Sequence, residues 1–465
     1  MAAGLERTEL GVLVALGLLG GLTVLGPRVG SGLEAASPAL HPGVPADRPP
    51  TVVLAVLDTV RADHLSPCGA HPESTPVLSR LVGEGAALSC DMVAPGSWTL
   101  PSHASFFTGQ PIEAHGAHFV PRDEANLLGV MQVRPLENAR TLAEAFQARG
   151  YRTLALSGNP VISRSTGLVR GFHWWRSARR FGRLYGDDYV HALEQALDGQ
   201  APLEVPLFVF LNIADAHQPW SAVPDSAEGL EAQGPMHPHM EDVFKQYYTG
   251  LRLERHFEKT RQAYAWGVRR ADATLGVALE ALEARGWADT GMRVVVVSDH
   301  GEFLGEHGLV DHGRYLWEEN QRVFAVHGWR GPDVPELEPL PADLAGHLIH
   351  DLALDGRLPA SRSVTTSVAF PDEYWQSLSG GRLGGSFSAA IWAGDEKLLW
   401  QDGVASLHDL RIGEAEGKPL PDGHPLRGSL EGLVARAQAS AGAPTTYDPE
   451  LLEQLKAAGY MEDGD

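Results

Sequence analysis

The chain has 465 residues, 43% hydrophobic and 21% charged, enough to bury one large core and a smaller second unit. Its 59 acidic residues against 37 basic give a formal net charge of −22, and no run of Lys and Arg interrupts that excess, which disfavours polyanion binding and argues against nucleic acid as a partner. Two cysteines, Cys68 and Cys90, are too few for a disulfide scaffold and lack paired zinc-site spacing; one disulfide and two free thiols both remain open.

Leu10 to Pro27 is uncharged, rich in Leu, Val and Gly, and flanked by Arg7 and Arg28. Residues 1–30 therefore read as an export signal or a short membrane anchor, which makes the protein extracytoplasmic, whether periplasmic, secreted or tethered to the membrane. The Ala/Pro-rich stretch 31–50 reads as a linker. From Thr51 the chain alternates strands with helices. TVVLAVL (Thr51 to Leu57), RTLALS (Arg152 to Ser157), PLFVFLNI (Pro206 to Ile213) and RVVVVS (Arg293 to Ser298) read as parallel strands buried on both faces. The helical patterns from Thr141 to Gly150 and from Tyr264 to Gly286 each stop on a glycine. This is the pattern of an α/β sandwich.

The first strand runs into Asp58, the second leads to Asn159, the third to Asp215 and His217, and the fourth to Asp299 and His300. Ligand sites of open parallel sheets gather at the carboxyl ends of the strands, so these groups are expected to converge. In SWTLPSHASFFTG (Ser97 to Gly109), Pro101 suits the first turn of a helix and sets Thr99 near its amino end, where free N–H groups favour an anion. A cation held by Asp58, Asp299 and His300 would lower the pKa of the Thr99 hydroxyl and make it a nucleophile.

LDTVRADHL, STPVLSRLVGEGA, SWTLPSHASFFTG with His115-Gly116, and SDHGEFLGEHGLVDHGRYLWEE together resemble the sulfatase branch of the alkaline phosphatase superfamily, from about Thr51 to near Leu420. The resemblance implies an α/β/α sandwich around a large, mostly parallel sheet (51–360) and a smaller C-terminal antiparallel-sheet domain (361–465). In the latter, four short strands and a final helix from Pro449 to Ala458 are expected. Thr99 replaces the residue that sulfatases oxidise to formylglycine, His103 replaces the arginine, Thr59 the second aspartate and His300 the asparagine. An imidazole ligand moves the expected single divalent ion from calcium toward zinc or manganese.

Thr99 with Asp58, Asp299 and His300 is similar to the single-metal phosphotransferases of the superfamily, those like lipoteichoic-acid synthase and phosphoethanolamine transferase. That similarity implies attack by Thr99 on phosphorus, with Thr99 itself beside the metal ligands. It also implies help at the leaving group from His217 and a grip on a non-bridging oxygen by Arg314, while Arg61, His103 and Asn159 support ligands or substrate. His115, His307 and His312 lie in the motif segments without an assigned role; His307 and His312 are taken as structural groups or as supports behind the ligands. The expected activity is hydrolysis or transfer on phosphate- or sulfate-type esters of small-molecule, glycan or lipid alcohols, phosphorus being favoured; the N-terminal segment can bring the chain to a membrane. The alternative is a non-catalytic sulfatase-like binding protein.

Overall fold

Val52, Leu54 and Val56 belong to one hydrophobic core and Val53, Ala55 and Leu57 to another, so the uninterrupted apolar run of the first strand is covered on both faces. The computed structural model describes residues 49–120, 133–179, 184–198, 205–218, 220, 254–359, 365–371, 385–411 and 417–441. The expected leader and all but the end of the linker lie outside them. Among the described residues no helix is long and apolar enough to cross a membrane. All of these residues belong to one compact unit, Pro38–Asp465.

The strands are β1 (Thr51–Leu57), β2 (Ala87–Val93), β3 (Arg152–Ser157), β4 (Trp174–Ser177), β5 (Leu207–Ile213), β6 (Met292–Val297), β7 (Phe303–Leu304), β8 (Val310–Asp311), β9 (Arg322–Arg330), β10 (Thr365–Ala369), β11 (Ser388–Ala393), β12 (Glu396–Gln401), β13 (Val404–Asp409) and β14 (Lys418–Pro419). Seven form one sheet in the order β2-β9-β6-β1-β5-β3-β4. The pairs from β6 across to β4 are parallel, while β9 runs antiparallel to β6 and β2. The helices Pro76–Gly83, Gly186–Asp198 and Glu254–Ala284 contribute to the core on one face. Thr99–Thr108, Leu142–Ala148 and Ile349–Asp355 contribute to the core on the other. This is the expected α/β/α sandwich with a mostly parallel sheet.

The second sheet is antiparallel in the order β10-β11-β12-β13-β14. It has five strands where four were expected, because β14 is only Lys418–Pro419, too short to show alternation; its proline is tolerated on an edge strand. The last described helix is Arg427–Ala441, and the helix expected at 449–458 lies outside the described residues. Cys68 and Cys90 form a disulfide, tying the segment after β1 to edge strand β2.

The long helix Glu254–Ala284 sets the position of the segment after β5. A Cβ at Gly267 would lie 2.7 Å from the Asp215 carbonyl oxygen and 2.9 Å from Ala216 Cα, so only glycine permits this approach. One turn further, Arg270 Nη2 lies 3.3 Å from Asp215 Oδ1 with both groups buried. Gly267→Ala would gain about 1 kcal/mol of helix propensity and lose about 1–3 kcal/mol to overpacking against backbone. Net destabilisation is therefore expected in urea unfolding; a stabilised variant would show that the contact yields without cost.

Candidate active site

β3, β5, β1 and β6 are neighbours, so the residues that follow them emerge along one sheet edge. Asp58, Asn159, Asp299 and His300 are completely buried there. Thr59 turns the chain out of β1 at φ 65, a left-handed conformation unusual for a β-branched residue. Tyr264 Oη donates to its carbonyl at 2.7 Å, and its own N–H donates to Asp299 Oδ1 at 3.2 Å. Thr99 opens the helix Thr99–Thr108 as the sequence predicts and is 2% exposed.

The hydrogen bonds divide each candidate ligand into a tied side and a bare side. Asp58 Oδ2 accepts from Asn159 Nδ2 and Asn212 Nδ2, both at 2.8 Å, while Oδ1 has no hydrogen-bond partner. Asp299 Oδ1 accepts from the Thr59 and His300 amides, while Oδ2 has no such partner. His300 Nδ1 donates to the Gly301 carbonyl at 3.0 Å, which turns Nε2 toward the carboxylates, 3.3 Å from Asp299 Oδ2 and 3.9 Å from Asp58 Oδ1; a cation there would take the place of the proton on Nε2. Ligand atoms of the three residues lie within 4.8 Å of one another. A divalent cation fits this donor set of two carboxylates and an imidazole, and it would satisfy all three buried atoms together. Burial opposes charge on both partners, yet the Asp299 and Asp58 carboxylates lift His300 to about 9, and His300 and His103 hold Asp299 well below the usual carboxylate range.

Thr99 joins the group through Asn159, whose Nδ2 also donates to Thr99 Oγ1 at 2.9 Å. His103 stands behind, with Nδ1 2.9 Å from the Thr99 carbonyl oxygen and 3.5 Å from Asp299 Oδ2. Arg61 does not reach the ligands. It forks onto Asp63 and holds the 302–306 loop through the Glu302 carbonyl at 3.1 Å and Glu306 at 2.8 Å. Asp215 is likewise turned away, occupied by Arg270 and by the Gly186 amide at 3.2 Å, and burial pushes it up to about 6.

His217 meets the cluster through His312, whose ring lies 5.0 Å from His217 and 4.3 Å from His300. Burial holds the His217 imidazole below its ordinary range, and burial with nearby His300 takes His312 to about 4. Arg314 is buried and binds Asp311 at 2.8 Å, while Gln218, next to His217, donates to the other Asp311 oxygen at 2.5 Å. Glu302, Asp311 and His312 form a second close group, but Arg314, Gln218 and the imidazole of His312 already engage its oxygens.

Sequence reasoning missed Asn212, Glu302 and Asp311, and named His312 without a role in the site. Asn212 is the lone polar side chain in the apolar run of β5, a signal that could have flagged it. Trp174 and Trp175 lie in β4, Trp220 is buried and donates to the Ala216 carbonyl at 2.7 Å, and Trp317 stacks on His307. His115 supports the helix Thr99–Thr108 from behind, its Nδ1 accepting the Ala117 N–H and its Nε2 2.9 Å from Ser105 Oγ.

The Sulfatase family matches residues 50–329. Among solved structures, a 2-O GAG sulfatase superposes with TM-score 0.58 at 13% identity, covering 89% of this chain and 98% of its own. A phosphonate monoester hydrolase of Agrobacterium radiobacter gives 0.55 at 15% identity, with 84% and 95% covered. An alkaline phosphatase superfamily protein from Vibrio parahaemolyticus gives 0.51 at 14%, with 90% and 89% covered. These likenesses show a shared fold. No curated protein sequence matches the chain.

After chelation and reloading with zinc or manganese, the chain is expected to carry one ion. Asp299→Ala and His300→Ala should retain less than about a tenth of it, while Glu302→Gln keeps it. Elemental analysis after gel filtration checks this, and ion loss confined to Glu302→Gln would move the site to the second group. A pH effect follows from His115, which burial lowers from 6.5 to about 3. Below 6.5 the unfolded imidazole takes a proton that the folded one refuses, so stability falls with acidification, by roughly 1 kcal/mol per pH unit. Urea unfolding between neutral pH and mildly acidic pH should show that loss reduced in His115→Gln; an unchanged slope would contradict the assignment.

Proposed function

Because the chain belongs to the sulfatase family, we propose that it is a metal-dependent hydrolase or transferase of phosphate-type esters with Thr99 as nucleophile. The observation that carries this reading is the single amide nitrogen, Asn159 Nδ2, bonded to both Thr99 Oγ1 and Asp58 Oδ2, which ties the hydroxyl to one of the three residues whose ligand atoms lie within 4.8 Å of one another. A divalent ion held by Asp58, Asp299 and His300 would lower the pKa of that hydroxyl and withdraw charge from an ester oxygen; zinc or manganese suits an imidazole-containing set better than calcium.

Thr99 Oγ attacks phosphorus, the P–O bond to the alcohol breaks, and the alcohol leaves with a proton. Water or a second alcohol then attacks the same phosphorus and frees Thr99. The amino end of the helix Thr99–Thr108 offers N–H groups to the charge that develops. His217, backed by His312, is suited to the proton at the leaving oxygen. The Arg314 guanidinium, aimed by Asp311, suits a non-bridging oxygen, since charge spreads over the equatorial oxygens in phosphoryl transfer. A threonine cannot become formylglycine, and the sulfate ester it would form is hard to turn over, which favours phosphorus. In this reading residues 51–360 carry the chemistry and 361–465 form the rim of the cleft. The Cys68–Cys90 disulfide supports an oxidising, extracytoplasmic setting, with the N-terminal segment as signal or anchor and a small-molecule, glycan or lipid ester as substrate.

The metal-loaded chain should turn over an aryl phosphate monoester or diester faster than the matched aryl sulfate, and Thr99→Ala should lose on the order of 10³-fold in kcat. Sulfate turnover that survives Thr99→Ala would overturn the nucleophile. No turnover of any ester would leave a sulfatase-like binding protein.

A further inference from the structure

Lys397 is fully buried, a rare place for an ammonium. It sits in β12, the middle strand of the second sheet, yet its partners lie in the segment that carries Arg314. Its Nζ donates to the Leu316 carbonyl and, at 3.0 Å, to Glu318 Oε1. Trp392 Nε1 of β11 donates to the same carboxylate oxygen at 2.9 Å, and the ammonium lies 4.8 Å from the Trp392 ring centroid. Gly385, at φ 67, packs against Arg314 so closely that a Cβ there would lie 2.2 Å from the Arg314 carbonyl oxygen.

The opposite side of this segment is bound to the chemistry. Asn320 Nδ2 donates to the Ser97 carbonyl at 3.2 Å, two residues before Thr99, and to the Tyr315 carbonyl at 3.1 Å. The Gly301 N–H donates to the Asn320 carbonyl at 2.9 Å, next to His300. The Arg314 segment is thus suspended between the nucleophile and ligand loops on one side and Lys397 on the other. A methionine would fill the same volume but would leave the Glu318 carboxylate without its buried ammonium, held then by Arg322 and Trp392. Methionine cannot supply directed N–H donors to Leu316 and Glu318.

We infer that Lys397 is a positioning residue for the ester site: from the second sheet it fixes the segment that presents Arg314, which makes that sheet part of the catalytic apparatus. The inference rests on the preceding reading of Arg314 as the holder of a non-bridging oxygen.

The test uses the full metal-loaded chain with Lys397→Met, Arg314→Ala and both together; Glu318→Gln gives a second way to loosen the clamp if Lys397→Met does not fold. Hydrogen exchange should rise at the amides of 314–317 in Lys397→Met while β11 to β13 stay protected and metal content is unchanged. For an aryl phosphate, kcat/KM should fall about 10- to 100-fold, inorganic phosphate should inhibit more weakly, and the double variant should be no worse than Arg314→Ala alone. Unchanged exchange overturns the clamp, and additive losses overturn its action through Arg314. If the unsubstituted chain turns over no ester, the preceding reading fails by itself, and the exchange comparison, which needs no substrate, still decides whether Lys397 holds the segment.

Discussion

Three polar atoms at the carboxyl edge of the main sheet, Asp58 Oδ1, Asp299 Oδ2 and His300 Nε2, are buried and without hydrogen-bond partners. Each such atom costs about 1–3 kcal/mol when left unsatisfied, against a net stability of about 5–15 kcal/mol for a whole domain. The three face one another, His300 Nε2 lying 3.3 Å from Asp299 Oδ2 and 3.9 Å from Asp58 Oδ1, and one divalent cation would satisfy them together. The atoms are bare because every other polar atom of the same side chains is occupied: Asn159 and Asn212 take one Asp58 oxygen, backbone amides take one Asp299 oxygen, and the Gly301 carbonyl takes the His300 Nδ1 proton.

The architecture reads as the means of holding that division. Adjacent strands β3, β5, β1 and β6 deliver the ligands and their supports side by side. The left-handed Thr59 turn lets the β1 exit point Asp58 inward and donate to Asp299 with the next amide. Asn159 then couples Thr99 to Asp58 through one nitrogen, so the position of the hydroxyl and the orientation of the carboxylate are one constraint. The second sheet enters through the 311–321 segment, which touches Ser97 ahead of Thr99, Gly301 beside His300, and Lys397.

What was legible in the sequence follows physical rules. β1, β3, β5 and β6 were readable because central parallel strands are apolar on both faces, and β4 (Trp174–Ser177) and β2 (Ala87–Val93) were not, since edge strands are short or irregular. β9 also escaped notice, its run broken by His327 and Gly328. Asp58, Asn159, Asp299 and His300 could be found because each follows such a strand. Glu302 could not, and His312 had no readable role, because only the β7–β8 pairing, with Phe303 opposite Asp311, folds them together. The Asn159 bond to Thr99 spans 60 residues and depends on side-chain geometry that no spacing encodes.

The most direct measurement is anomalous diffraction from crystals of the metal-loaded chain, collected on both sides of the absorption edge of zinc or manganese. The account predicts one anomalous peak, enclosed by Asp58, Asp299, His300 and the Thr99 hydroxyl. A peak between Glu302, Asp311 and His312 instead, or no peak from chain that carries stoichiometric metal in solution, would contradict it.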